Sequence, residues 1–160
     1  MDIKTVYGYE HKEEIKTLFG EYTNMLVENE SGFKDYLKIQ NYDEELEHLE
    51  SKYGLPYGRL YLVYCDGEPA GCIAFRKIDE WNCEMKRLYI RPSFRGQHIG
   101  KYLVNKIIED AKEIGYKYML LDTFPFLKTA IHIYEGCGFY EISSYNNSPM
   151  NNLVYMKLDL

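Results

Sequence analysis

The run Arg95-Gly96-Gln97-His98-Ile99-Gly100-Lys101 has the composition of a phosphate cradle, with glycines and a cation between a strand-like segment and a long amphipathic one. Glycines at 96 and 100 let the backbone come close to a ligand. The first N–H groups of a helix that begins here have no partners within it. With the positive end of the helix dipole, those amides favour a polyanion.

The flanking elements must hold that loop. Upstream, Glu84-Met85-Lys86-Arg87-Leu88-Tyr89-Ile90 is rich in β-formers and stops at Arg91-Pro92. Downstream, Ile99, Leu103, Ile107, Ala111 and Ile114 recur at helical spacing, widened by Val104 and Ile108. Lys101, Asn105, Lys106, Glu109, Asp110 and Lys112 occupy the opposite face, and Gly115 suits a C-cap. Tyr118 to Asp122 then reads as a second strand, completing a βαβ unit.

The residues exclude two other phosphate-binding patterns. A Walker A loop ends in Gly-Lys-Ser or Gly-Lys-Thr, whereas Gly100-Lys101 is followed by Tyr102, leaving no hydroxyl for magnesium. A dinucleotide fingerprint needs Gly-x-Gly-x-x-Gly with an acid ending the next strand. Asp122 could be that acid, but the glycines at 96 and 100 have the wrong spacing.

The cradle does fit a loop of the form Gln/Arg-x-x-Gly-x-Gly/Ala at its ends, through Arg95 and Gly100, with His98 at the inner glycine position. Further on, Ala130-Ile131-His132-Ile133-Tyr134-Glu135-Gly136-Cys137-Gly138-Phe139 matches Ala-x-x-x-Tyr-x-x-x-Gly-Phe throughout. With both motifs in this order, the chain resembles the GCN5-related N-acetyltransferase (GNAT) superfamily, most clearly from about Arg59 onward. The resemblance implies an α/β (α+β) fold, with a mixed, mostly antiparallel twisted sheet of about six to seven strands flanked by about four helices. It implies transfer of an acetyl group from acetyl-CoA to a primary amine by direct attack, without a metal, and admits a homodimer. A silent acyl-CoA-binding sensor on the same fold is the alternative, against which Tyr134 counts.

Site residues follow from the same resemblance. Backbone groups of Leu88, Tyr89 and Ile90 are expected to hold the pantetheine arm, and Arg95, Gly96, Gln97, His98, Ile99, Gly100 and Lys101 the phosphates. Strand groups become free for this only where neighbouring strands splay or bulge. Tyr134 aligns with the tyrosine that faces the CoA sulfur and is the expected general acid. Glu84 is the expected base, with pairing to Lys86 or Arg87 as its structural alternative. His132, on another helix face, reads as a surface residue, and Leu127 stands where many members carry a cofactor-contacting asparagine.

Composition agrees with one domain over residues 1–160, since a chain of 160 residues, 46% of them hydrophobic, can bury one core. No apolar run reaches membrane-spanning length and the N-terminus lacks a signal peptide, so the expected location is the cytoplasm. Cys65, Cys72, Cys83 and Cys137 lack zinc-ligand spacing and read as reduced thiols. A net charge of −6 argues against a nucleic-acid partner and would suit a cationic acceptor. Much of the acid falls in Asp43 to Glu50, a run that reads as the solvated face of a helix.

Elsewhere, Tyr9 to Asn29 reads as one or two helices, Asp43 to Tyr53 as another, and Lys128 to Cys137 as a short one. Arg59 to Tyr64 and Ala70 to Ile78 are strand-like and joined through Asp66-Gly67, which suits a type I′ hairpin, and Leu153 to Leu158 closes the chain as a strand. Tyr22, Glu28, Glu30, Phe33 and Tyr57 lie in the half expected to shape the acceptor pocket. The cradle should discriminate among nucleotide ligands. In calorimetry, CoA and acetyl-CoA are expected to bind with similar affinity and ATP and NAD far more weakly; ATP as the tighter ligand would sink the family reading.

Overall fold

A computed structural model of the chain describes residues 1–30, 32–39, 41–146, 148, 150 and 152–160. The N-terminal part holds Ile3–Tyr7 (β1) and the helices Lys12–Asn29 (α1), Phe33–Ile39 (α2), Tyr42–Glu47 (α3) and Leu49–Tyr53 (α4). Arg59–Cys65 (β2), Glu68–Lys77 (β3) and Asn82–Ile90 (β4) lead into Ile99–Ile114 (α5). Tyr118–Thr123 (β5), Lys128–Gly136 (α6), Tyr140–Ile142 (β6) and Val154–Asp159 (β7) complete the order. Among the described residues, seven strands form one sheet in the order β1-β2-β3-β4-β5-β7-β6. Only the β4–β5 pair is parallel.

The hydrophobic pattern explains which element covers which face. The α5 stripe of Leu103, Val104, Ile107 and Ala111 is fully buried against Val63, Ile73, Phe75 and Met119 of the sheet. On the other face Ile15, Leu18 and Phe19 of α1, with Leu49 and Tyr53 of α4, cover Leu60, Leu62 and Ala74. A third cluster joins Leu26, Phe33 and Leu37 to Phe124 beyond β5. Gly115 caps α5 at φ 109, and the β2–β3 turn has φ 51 at Asp66 and 83 at Gly67, with Cys65 opposite Glu68, as a two-residue hairpin requires.

Some elements differ from the sequence pattern. Asp43 to Tyr53 is not one helix, because the chain breaks at His48 (φ −132, ψ 57) and separates α3 from α4. With α2 added, six helices flank the sheet among the described residues. The acidic run is not uniformly solvated either: Glu45 is buried while Asp43, Glu44 and Glu47 are exposed. The outer strands β1 and β6 lack a deeply buried face, so their apolar alternation is weak.

The feature that positions the site is a bulge in β4. Ala74 pairs with Lys86 and Cys72 with Tyr89, so Arg87 and Leu88 together oppose Ile73. Arg87 takes the left-handed conformation at φ 62. One extra residue in a period-two strand reverses its facing. Cys83 and Met85 lie in the α5-side core and Leu88 and Ile90 pack there too, while Arg87 and Tyr89 turn to the α1 side. Beyond Glu84↔Leu120, β4 and β5 have no further paired residues among those described, and the two strands diverge.

A buried ion pair holds the bulge. Arg87 donates from Nε to Glu45 Oε2 at 3.1 Å and from Nη2 to Glu45 Oε1 at 3.0 Å. Lys52 Nζ donates to the same carboxylate at 2.6 Å. Burial alone would raise the Glu45 carboxyl, but Arg87 and Lys52 overcome it and hold the group at about 2 against an ordinary 4.5. Because the folded value is depressed, this stabilisation is fully present above about pH 5 and is lost as pH falls from 4.5 through 2. It is expected to be worth on the order of 3 kcal/mol. In urea unfolding, Glu45→Gln should lower the midpoint at pH 7 and flatten its fall between pH 5 and 3; parallel pH profiles for the two proteins would contradict the pairing.

Candidate active site

The first helical bond of α5 runs from Tyr102 N to His98 O at 3.1 Å, which leaves the amides of Ile99, Gly100 and Lys101 at the open helix end. No side chain caps that end and no acid lies in its first turn. Residues 95 to 98 in front of it are exposed. Among the described residues this geometry suits an anion: amides without a helical partner, the positive end of a buried helix, and no carboxylate in its first turn.

His98, at the inner glycine position of the loop pattern, is the N-cap residue of α5 at φ 63 and ψ 18, and Gly96 lies two residues before it at φ 82. The turn from Pro92–Phe94 into α5 thus uses two left-handed residues, and only one is glycine. Histidine is among the side chains that tolerate this region better than most. The glycines also serve different ends. Gly96 has nothing within 4 Å of a built Cβ, so its φ is what matters, whereas a Cβ at Gly100 would lie 3.1 Å from Ile133 Cδ1. The smallness of Gly100 therefore lets α5 approach α6.

Arg95 Nε donates to the Ile90 carbonyl at 2.9 Å, and the guanidinium lies 5.9 Å from the Tyr89 ring centroid. Its cation therefore stays beside the strand end, while Gln97 and Lys101 remain exposed around the helix start. Of the three strand residues expected to hold the pantetheine arm, the alternation of an antiparallel ladder divides them. Arg91 N bonds Ala70 O and Tyr89 pairs with Cys72, so the Tyr89 backbone turns to β3. Leu88 and Ile90 turn to the open edge facing β5.

Where β4 and β5 part there is a cavity of about 40 Å³. Met85 to Leu88 form one wall and Asp122, Thr123 and Phe124 the other; Tyr134 closes it from α6, with Tyr22, Leu26, Phe33 and Leu153 around the rest. Tyr134 thus reaches the site from the α5 side, its ring 5.7 Å from that of Phe139. Burial raises its hydroxyl pKa well above 10, so it holds its proton at every physiological pH. Of the acceptor-side residues expected, Tyr22 and Phe33 line the cavity; Glu28, Glu30 and Tyr57 do not. His132 is exposed, as its helix face required.

Glu84 is poorly suited to the role of base. Arg76 Nε donates to its Oε1 at 2.9 Å, the Tyr145 hydroxyl to its Oε2 at 2.5 Å, and Lys86 Nζ is 3.9 Å away. Burial would raise this carboxyl, but Lys86, Arg76 and Tyr145 together hold it below the ordinary value. A carboxylate engaged at both oxygens and made less basic is a structural ion pair. Asp122 has the opposite character and lines the cavity. Burial raises its pKa, Lys86 partly offsets the rise, and Asn146 Nδ2 donates to Oδ2 at 3.0 Å. Sequence reasoning gave Asp122 no role here, since its end-of-strand position says nothing about how the strands diverge. Lys86, also on the cavity wall, escaped for the same reason. No group of His, Cys, Asp and Glu among the described residues could hold a metal.

Residues 23–139 match the family model of the acetyltransferase (GNAT) family. The chain belongs to that family. The match begins well before Arg59 and so includes part of the helical half. An uncharacterized N-acetyltransferase of Schizosaccharomyces pombe is 41% identical, with 78% of this chain and 77% of that one covered. One of Dictyostelium discoideum is 33% identical over the whole of both chains. Among solved structures, a GNAT-family acetyltransferase from Staphylococcus aureus has the same fold, with a TM-score of 0.79 at 21% identity over 99% of each chain. A GNAT acetyltransferase from Elizabethkingia anophelis, solved with acetyl-CoA bound, gives a TM-score of 0.57 at 23% identity over 71% of this chain and 82% of its own.

The left-handed cradle sets an expectation for stability and binding. His98→Gly removes an αL cost of about 1–2 kcal/mol but loosens the unfolded chain, so thermal stability should hold or rise by up to about 1 kcal/mol. CoA affinity should change less than about tenfold, because the amides that face the anion stay in place. His98→Val, a β-branched residue at positive φ, should lower both. Melting curves and calorimetry on the two variants check this; a large loss on His98→Gly would mean the imidazole itself holds the ligand.

Proposed function

We propose that residues 1–160 form one acetyl-CoA-dependent N-acetyltransferase unit acting on a primary amine by direct attack. The observation that carries the reading is continuity: the open helix start at Gly96 to Lys101, the unpaired β4 edge at Leu88 and Ile90, and the cavity before Tyr134 adjoin in that order. The residues fit the cosubstrate. The α5 amides suit its pyrophosphate, the free edge of β4 suits the amides of its pantetheine arm, and the divergence of β4 from β5 makes room for the thioester. Acetyl-CoA, when bound, supplies the activated acyl group.

The protein's own part is proton handling and orientation. An alkylammonium of pKa about 10.4 is only about one part in a thousand neutral at pH 7.4, whereas a thiol of pKa about 8.5 leaves with little help. Deprotonation is the steeper barrier. Asp122, with its raised pKa and a place on the cavity wall, is the proton acceptor we assign in place of Glu84. Tyr134, kept neutral by burial, is the proton donor to the departing sulfur.

Steady-state kinetics with one good amine separate these roles. Asp122→Asn should lower kcat by about 10²- to 10⁴-fold and Tyr134→Phe by about 10²-fold, the latter with KM for acetyl-CoA nearly unchanged. The wild-type rate should climb with pH as the raised carboxyl ionises, and Asp122→Asn should lose that limb. If Glu84→Gln abolished the limb and Asp122→Asn kept it, the base assignment would be reversed.

A further inference from the structure

The cavity wall carries two opposite charges that do not neutralise each other. Lys86 is 11% exposed at its side chain, and its ammonium has no ion-pair partner nearer than Glu84 Oε1 at 3.9 Å. That carboxylate is already taken by Arg76 and Tyr145. Among the described residues Asp122 is bonded only by Asn146 Nδ2, and no ion pair joins it to Lys86. Each charge is thus removed from most of its water with one partner in return, Lys86 a carboxylate at 3.9 Å and Asp122 a neutral amide, an arrangement that a complementary ligand would relieve further.

The surroundings favour an anionic group at the Lys86 end. Around it four cations, Lys52, Arg76, Lys86 and Arg87, face three carboxylates, Glu45, Glu84 and Asp122. Of these, Lys86 and Arg87 line the cavity itself beside one carboxylate, Asp122, in a chain that carries −6 overall. Burial, then Arg87, push the Lys86 ammonium down to about 8, the response of a cation short of a counter-ion. A polyamine or a second lysine side chain would meet this ammonium as a like charge.

Resting on the transferase reading, we propose that the acceptor is an amine with an anionic group beside it, an α-amino acid or its phosphonate analogue, with the amine toward Asp122 and the anion on Lys86. The pair would orient the acceptor as well as hold it. The carboxylate on Lys86 aims the adjacent nitrogen at the junction of Leu88, Asp122 and Tyr134.

The test is a panel of L-α-amino acids, each beside its carboxamide and its decarboxylated amine, read as thiol release from acetyl-CoA. The best acid should exceed its own amide and amine in kcat/KM by about tenfold or more, the discrimination of one charge-assisted hydrogen bond. This is a demanding contrast, because the amide's amine has the lower pKa and is more often neutral. In Lys86→Met the ratio should collapse to within about threefold of one, and Lys86→Arg should restore part of it. A wild-type preference for amides or amines overturns the assignment without touching the transferase reading, as does a ratio that Lys86→Met leaves intact. No thiol release with any amine, while CoA still raises the melting temperature, removes both.

Discussion

The site depends on one extra residue in β4. The bulge that sets Arg87 and Leu88 against Ile73 changes the phase of the strand, so that Leu88 and Ile90 join the α5-side core and Arg87 turns to the α1 side. Without it the alternation from Cys83 would send Arg87 into the apolar layer under α5 and Leu88 out of it. Glu45 makes the arrangement stable by meeting Arg87 with both carboxylate oxygens, and Lys52 donates to the same carboxylate. A left-handed arginine is an uncommon conformation, and it persists because the surrounding contacts outweigh its strain.

Strand divergence follows on the other edge. Because β5 pairs with β4 only from Asn82 to Glu84, the remaining β4 backbone has no strand partner on that edge among the described residues, where Arg95 Nε takes the Ile90 carbonyl. A buried sheet ordinarily leaves no such groups. Here they lie between the amino end of α5 and the cavity before Tyr134, the path that the proposed function gives to an extended ligand. The same opening exposes Asp122 and Lys86 to each other without joining them.

Much of this was legible from residue patterns, and the reasons differ by element. The α5 stripe and the cradle before it could be read because helical periodicity and the glycine spacing are local signals, and Tyr134 could be placed because its whole motif is intact. The conformation of His98 could not, since the residue type gives no φ; only the chain's turn from Pro92–Phe94 into α5 demands a left-handed residue there. Glu84 suits a base by its position on β4, and only the fold reveals that Arg76 on β3 and Tyr145 in a distant loop converge on it. Asp122 and Glu45 were missed for the converse reason: their character comes from burial and from partners on other elements, which no local pattern encodes.

Hydrogen exchange at single amides, with and without CoA, tests the central claim most directly. In the free protein the amides of Leu88 and Ile90 should exchange fast and that of Tyr89, in the β3 ladder, slowly. CoA should slow Leu88, Ile90 and the Ile99 to Lys101 amides by about tenfold or more and leave Tyr89 unchanged. Leu88 and Ile90 amides already protected in the free protein, or indifferent to CoA, would contradict a free β4 edge as the seat of cosubstrate binding.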